Sequence, residues 1–371
     1  MKLRTLKLNY FRNYDNGFFE FNDNLNIIYG DNGTGKTTLL EAIHFLSLTK
    51  SFRTGSDIDV IKYKQDYFQV FGQFTNSKEK EISVNLNYSR HEGKKVFLNK
   101  NELRKKTDII GKIPVIILSP GTQKITDGGP FIRRNFIDRI LAQINKEYLI
   151  ALVEYKKHIY QRNILLNKYR EQRINKYDKY IETIDEILID YAYIIQRKRS
   201  EYIESFNLVL KEVFNKISHF KKEVSLKINQ NINVDLENFK NVFREKLASK
   251  FEKDILFGRT GTGPHLDHIL LLFGDRDIRF VGSHGEHKIL LVSLKMSEGI
   301  YIEKNINEKV IFLLDDLFAM LDVTHCINIL KEVGQQNQTL VTTADITAFK
   351  KYGFDFKKYN VKTFGLPIGF S

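Results

Sequence analysis

The stretch NIIYGDNGTGKTTLLEAI, residues 26–43, limits what this chain can fold into more than any other. Leu25, Ile27, Ile28 and Tyr29 form a short apolar strand pattern; Leu39, Leu40, Ala42, Ile43 and Leu46 then recur at helical spacing. Between them stand Gly30, Gly35, Lys36 and Thr37 in the spacing G-x-x-x-x-G-K-[ST]. Glycines let a backbone wrap closely enough for many N–H groups to converge from one side, and the helix that follows adds its positive end. A phosphate chain is the ligand that needs such a cradle. The expected cradle is Gly30, Asp31, Asn32, Gly33, Thr34, Gly35, Lys36, Thr37 and Thr38, with Lys36 reaching the β and γ phosphates and the Thr37 hydroxyl holding Mg2+.

Hydrolysis needs more than binding: a carboxylate for the metal and a group that orients water, both at the end of a buried strand. VIFLLDD, residues 310–316, supplies them, with Asp315 facing Mg2+ and Asp316 polarising the attacking water. A second anion-seeking helix start follows from FVGSHGEHKILLVSLKMSEG, residues 280–299, where a Ser-x-Gly turn precedes the apolar stripe Ile289, Leu290, Val292, Leu294 and Met296. The Lys36 loop already holds the one γ phosphate of its nucleotide. This second helix therefore makes most sense acting in trans, on the nucleotide of another copy.

Along the chain, residues up to about 117 read as strands with one helix, and Ile113–Leu118 as a buried strand. HEGKK, residues 91–95, reads as a hairpin turn. After Gly128, Gly129 and Pro130 comes long, charged, helical sequence with almost no Gly or Pro up to about residue 250. Its stripes, Tyr148, Leu152, Tyr155, Ile159 and then Tyr180, Ile184, Ile187, Tyr191, Ile194, suggest helices packed side by side, and Ile203, Phe206, Leu210, Val213, Ile217 continue them. QRKRS, residues 196–200, reads as a solvated face. Strand patterns return from about Phe257. The expectation is an α/β fold: a discontinuous head over 1–127 and 255–371, and a helical arm over 128–254.

The formal charge of +13, from 58 Lys and Arg against 45 Asp and Glu, favours polyanionic partners, nucleic acid first and an anionic membrane surface second. Arg53, Arg133 and Arg134 are the candidate DNA contacts, expected mainly on phosphates because no helix-turn-helix or zinc-finger pattern is present. A single cysteine, Cys326, the absence of a charged-then-apolar leader and the lack of any bilayer-length run lead to a cytoplasmic expectation. His265-x-x-His268 and His284-x-x-His287 repeat a spacing that suits a metal site.

The order of phosphate loop, Ser-x-Gly-Glu turn, strand with two acids and Leu321-Asp322 resembles the ABC-type P-loop ATPase head of SMC-like proteins, and within them the RecF family. NYFRNY (9–14), KSFRTG (50–55), GGPFIRRNFID (128–138), QRNILL (161–166), GPHLDH (263–268) and LLDDLFAMLD (313–322) carry that likeness. It implies that Arg12 and Asn13 lie near ATP, that Ser283, Gly285 and Glu286 form the signature turn reaching the partner subunit's nucleotide, and that Asp322 belongs to a cross-dimer loop. It also implies an ATP-dependent homodimer on single- and double-stranded DNA, weak ATPase activity, and work with RecR and RecO. The family usually carries Gln where Glu286 stands. The position of the histidine switch of transporters falls in TTAD, residues 342–345. A nucleotide-binding interaction module with little turnover, or another SMC-like ATPase, fits the same motifs.

Overall fold

The computed structural model describes residues 1–174, 176–218, 222–317, 323–351 and 353–366. The chain divides into two compact units, one of Met1–Gln123 with Leu294–Ser371 and the other of Lys124–Ser293.

The first unit is built on two sheets. Strands β1 (Lys2–Phe11), β2 (Tyr14–Glu20), β4 (Tyr67–Thr75), β5 (Glu81–Ser89), β6 (Gly93–Leu98) and β7 (Asn101–Glu102) form an antiparallel sheet in the order β2-β1-β4-β5-β6-β7. Their alternation of apolar and polar residues turns one face inward and leaves the other open, as antiparallel sheets permit. Strands β3 (Leu25–Tyr29), β8 (Val115–Leu118), β12 (Ile311–Leu314), β13 (Thr339–Thr343) and β14 (Lys362–Gly365) form a parallel sheet in the order β14-β3-β13-β12-β8. Every residue of β8, β12 and β13 is buried, which explains their unbroken apolar or small-residue sequences. Helix α1 (Lys36–Leu48) packs on both sheets. It is buried from Thr38 to Ser47, apolar on nearly every side, because it has a sheet on two sides. Its Leu39, Leu40, Ile43, Phe45 and Leu46 join the inward residues of both sheets in one core. At about 1.5–3 kcal/mol for each large buried side chain, that core outweighs the helix's poor capping.

The second unit holds α2 (Lys124–Asp127), α3 (Pro130–Ile144), α4 (Lys146–Gln172), α5 (Lys179–Ile217), α6 (Phe239–Ser249), α7 (Phe251–Phe257) and α8 (Ile278–Val281). A small antiparallel sheet, β11-β10-β9, joins them, with β9 at Val224–Asn229, β10 at His268–Phe273 and β11 at Arg276–Asp277. Helix α9 (His284–Ile306) begins in this unit and ends in the first. The divisions therefore fall at 123/124 and 293/294, where the sequence suggested 127/128 and 254/255. Residues 255–293 cluster with the helical unit because β10 pairs with β9 along its whole length, from His268 opposite Asn229 to Phe273 opposite Val224.

Two details of the helices depart from their sequence patterns. The buried stripe of α5 is displaced by one residue: Ile181, Asp185, Leu188, Ala192, Ile195, Arg199, Tyr202 and Phe206 face inward, while Tyr180 is exposed. Polar residues on the inward face hid the true period. Arg199 donates to Asp138, Asp267 and the Pro264 carbonyl, and Arg162 of α4 donates to Asp185 and Asp254. Both guanidinium groups are buried, so the run 196–200 is not a solvated face. Removing one partner of such a buried pair costs about 3–5 kcal/mol. Among the described residues, no helix is long and apolar enough to cross a membrane.

Candidate nucleotide-binding site

The glycine loop between β3 and α1 takes the conformation its spacing predicts. Gly30, Gly33 and Gly35 have φ of 151°, 87° and 95°, which side-chain-bearing residues rarely adopt. Space reinforces the choice: a Cβ on Gly30 would meet the Leu366 carbonyl at 2.6 Å, and one on Gly35 would meet Asn13 Nδ2 at 2.7 Å. Asp31 and Thr34 close the turn, with Thr34 Oγ1 donating to the Asp31 carbonyl at 3.0 Å.

A cavity of about 500 Å³ opens at this loop. Asn32, Gly33, Gly35, Lys36, Thr37 and Thr38 line it from the loop and α1, and Asp315 and Asp316 from the end of β12. Thr37 Oγ1 donates to Asp315 Oδ1 at 2.8 Å, and Thr342 Oγ1 donates to the same oxygen at 2.8 Å. The adjacent parallel strands bring these groups together, since Leu314 stands opposite both Leu118 and Val341. Burial and the neighbouring Asp316 push the Asp315 carboxyl up, against the two hydroxyl bonds and Arg53. Asp316 has φ of 50° and its N–H is held by Thr342 Oγ1 at 2.9 Å. Thr342, in the TTAD segment, is thus a hinge between both acids.

Lys36 Nζ donates to the Gly30 and Asp31 carbonyls at 2.6 and 2.7 Å, folded back on its own loop. Burial holds it below the usual lysine range, against the pull of Asp316, Asp31 and Asp315. Asn13 Oδ1 is buried in this cavity wall without a partner among the described residues.

Sequence reasoning missed what organises the cationic side. Glu41, on α1 and fully buried, accepts Arg12 Nε at 3.0 Å, Arg12 Nη2 at 2.5 Å, Arg53 Nη1 at 3.2 Å and Ser51 Oγ at 2.5 Å. Arg53, expected on DNA, instead lines the nucleotide cavity together with Arg12 and Asn13. The signal was present: a carboxylate inside the apolar stripe of a buried helix requires cationic partners.

The other arginine expectations change too. Arg133 is buried, donating to Asp277 and to the Ile125 and Thr126 carbonyls, so it braces the second unit and cannot reach a DNA phosphate. Arg134 is half-buried and donates to the Asp267 carbonyl at 2.6 Å. Ser283 and Glu286 form a reciprocal cap on α9: Ser283 N–H donates to Glu286 Oε2 at 2.8 Å and Glu286 N–H to Ser283 Oγ at 3.3 Å. Gly285 has open space around its Cα, with nothing within 4 Å of an added Cβ. Asp322 lies outside the described residues. His265 is bonded at both ring nitrogens, to Tyr155 and Thr260, and among the described residues no group of three or more His, Cys, Asp or Glu could hold a metal.

The profile described as RecF/RecN/SMC N terminal domain matches residues 2–362. The DNA replication and repair protein RecF of Chloroherpeton thalassium is 32% identical over 352 residues, covering 93% of this chain and 95% of that protein. The chain belongs to the RecF family. RecF of Streptococcus gordonii is 31% identical over 362 residues, covering 97% of this chain and 98% of that protein. A solved structure of the recombination mediator protein RecF-ATPrS in the RecFOR pathway matches with a TM-score of 0.87 and 28% identity, covering 94% of this chain and 93% of that one. An Smc head bound to the C-winged helix domain of ScpA, at 16% identity and a TM-score of 0.53, shares the fold alone. This RecF-family chain thus carries an ABC-type P-loop ATPase head with an inserted helical unit.

Proposed function

We propose that this RecF-family protein is an ATP-gated DNA replication and repair protein that dimerises head to head on DNA when ATP is bound and reopens on slow hydrolysis. The observation that carries the reading is the convergence of the Thr37 and Thr342 hydroxyls on Asp315 beside the Lys36 loop. The RecF relatives, and the solved RecF-ATP structure at 28% identity, support ATP as the nucleotide.

The residues fit a magnesium nucleotide. Asp315 is a buried acid beside a second acid, a pair that a divalent cation would relieve, and Thr37 Oγ1 would turn its lone pairs to the same ion. Held by Asp315 and Thr37, Mg2+ would supply charge neutralisation for the nucleotide's phosphates. Lys36 exchanges its two loop carbonyls for phosphate oxygens, and the loop N–H groups hold the chain of phosphates from the other side. Asp316 accepts a proton from the attacking water. Arg12 and Arg53, held by Glu41, present positive charge to the same cavity. By family resemblance the turn of Ser283, Gly285 and Glu286 would face the nucleotide of a second copy in trans, and Asp322 would belong to a cross-dimer loop. RecR and RecO, and recombinase loading at gapped DNA, follow from the family resemblance.

The reciprocal Ser283–Glu286 cap favours a second reading, a nucleotide-binding interaction module with little turnover, because a carboxylate already sits where a partner's γ phosphate would dock. Mass in solution separates the two. Wild type, Lys36→Ala and Asp316→Asn are measured without nucleotide, with ADP, with ATP, and with ATP plus duplex DNA. The gated reading expects a dimer only with ATP, persistent in Asp316→Asn and absent in Lys36→Ala. Monomers under every condition would leave the interaction module.

A further inference from the structure

The antiparallel sheet of the first unit has an inward face built into the core and an outward face that no described element covers. Register assigns the outward residues to rows that cross the strands. In one row Phe18 stands opposite Lys7, Lys7 opposite Phe71, Phe71 opposite Asn85 and Asn85 opposite Phe97. In the next, Asn16, Asn9, Gln69, Asn87 and Lys95 are paired in the same way. Aromatic rings thus recur on alternate strands, roughly 10 Å apart at the usual strand spacing. Lys7 and Asn85 fill the places between them.

We propose that this face is a binding surface for single-stranded nucleic acid. Three observations point to that occupant. First, Phe18 is 56% exposed while Phe71 and Phe97 are half-buried, and an open groove of about 770 Å³ runs past Lys7, Asn9, Phe18, Gln69 and Phe71. Flat rings on a sheet accept unpaired bases by stacking, which a duplex cannot offer. Secondly, the amides form a partly satisfied network. Asn9 donates to Gln69 at 3.3 Å and Gln69 to Asn85 at 3.0 Å. Base edges supply the donors and acceptors that such a row lacks. Thirdly, the charge has the right sign. From β2 to β6 neither row contains a carboxylate, although Glu102 of β7 extends the first row past Phe97 and Glu92 pairs with Lys95 of the second; Lys7 lies 5.4 Å from the Phe18 ring centre with no acidic partner among the described residues. Glu20 and Glu102 pair with Thr5 and Phe97, at the next row and the edge strand.

A protein partner fits less well. The backbones of β1, β4 and β5 are paired on both sides, so no strand can be added there. Alternating rings, amides and a cation also lack the contiguous apolar centre of a protein interface.

The proposal refines the DNA-binding reading above, and its test is run without nucleotide so that the two fail separately. Fluorescence anisotropy follows a labelled oligo(dT) long enough to cross the sheet, and a duplex of equal length, on the full chain. Loss of stacking in the double variant Phe18→Ala with Phe97→Ala is expected to weaken oligo(dT) binding by about tenfold or more. Duplex affinity and ATP binding are expected to hold. Lys7→Ala is expected to weaken oligo(dT) binding and lower its salt slope by about one. Photocrosslinked oligo(dT) is expected on the peptides of β2, β4 and β6. Unchanged oligo(dT) affinity in the double variant with native thermal unfolding overturns the proposal. So does an equal loss for duplex, which assigns the face to general phosphate attraction. Unchanged oligo(dT) binding with loss of self-association also overturns it and assigns the face to a second copy.

Discussion

Single side chains in the second unit show how far local chemistry can be carried by partners distant in sequence. Tyr155 shares a hydrogen bond of 2.7 Å with His265 Nδ1, and His265 Nε2 faces the Thr260 carbonyl at 3.2 Å. A neutral ring protonated at Nε2 satisfies both, accepting from Tyr155 and donating to Thr260. Burial, with Arg134, Arg199 and Arg162 nearby, lowers the His265 pKa from 6.5 to about 4, although the Thr260 carbonyl pulls the other way. The unfolded chain takes up its proton near pH 6.5 and the folded chain only near pH 4. Stability therefore falls as pH drops through that window and loses nothing further from this group below it, a loss of up to about 3 kcal/mol. His265→Gln keeps an acceptor and a donor but cannot titrate. The urea midpoint of the variant is expected to change less between pH 6.5 and pH 4 than that of wild type. Equal slopes for the two proteins would refute the assignment. The sequence marks His265 as part of GPHLDH, yet it cannot show this role. Tyr155 lies 110 residues away, and a buried arginine such as Arg199 looks like any surface charge until its partners Asp138 and Asp267 are placed.

Elements were legible where one physical demand fixes the pattern. The phosphate loop, the buried strands β8 and β12, and the hairpin between β5 and β6 all announce themselves, the first by glycines, the next by runs without polar residues, the last by HEGKK. Strand β9 was not legible, because VSLKIN sits in a long helical stretch and becomes a strand only by pairing with β10. The start of α9 was legible as an anion-seeking turn but not as a self-capped one. There Glu286 also meets Lys222 at 3.3 Å. Burial opposes ionisation of Glu286, yet the bonds from Ser283 and Lys222 hold its carboxyl below the usual range, so it is an anion at the helix start. Glu286→Gln retains an oxygen for the Ser283 N–H and removes the charge. The variant is expected to form the ATP-dependent dimer at lower protein concentration, by about fivefold if the helix-end charge costs ~1 kcal/mol in partly buried surroundings. Sedimentation across a concentration series reads this directly, and an unchanged or weaker dimer would mean that the cap does not compete with a partner's phosphate.

Across the whole molecule the excess of 58 basic over 45 acidic residues acts on DNA as a field. The three arginines that looked most suited to DNA are committed elsewhere: Arg53 to Glu41, Arg133 to Asp277, and Arg134 to the Asp267 carbonyl. The proposed binding of duplex DNA is therefore expected to rest on dispersed basic side chains and not on these three arginines. Each phosphate neutralised releases condensed counterions, so affinity follows a straight line in log salt whose slope counts the contacts. If the dispersed charge engages about 6–10 phosphates, raising salt from about 50 to about 200 mM lowers duplex affinity by roughly 10³–10⁵. Single Lys→Ala changes are then expected to reduce the slope by about one each with little change between DNA sequences. Oligo(dT) gives the contrast within one protein. Each phosphate of a single strand releases fewer counterions than one of a duplex, so oligo(dT) binding is expected to fall with salt less steeply than duplex binding, and loss of its remaining affinity in the Phe18→Ala, Phe97→Ala variant ties it to the sheet. A flat salt response for duplex would mean that the excess charge serves only solvation, and the proposed ATP-driven dimer would then need a different surface on which to hold DNA.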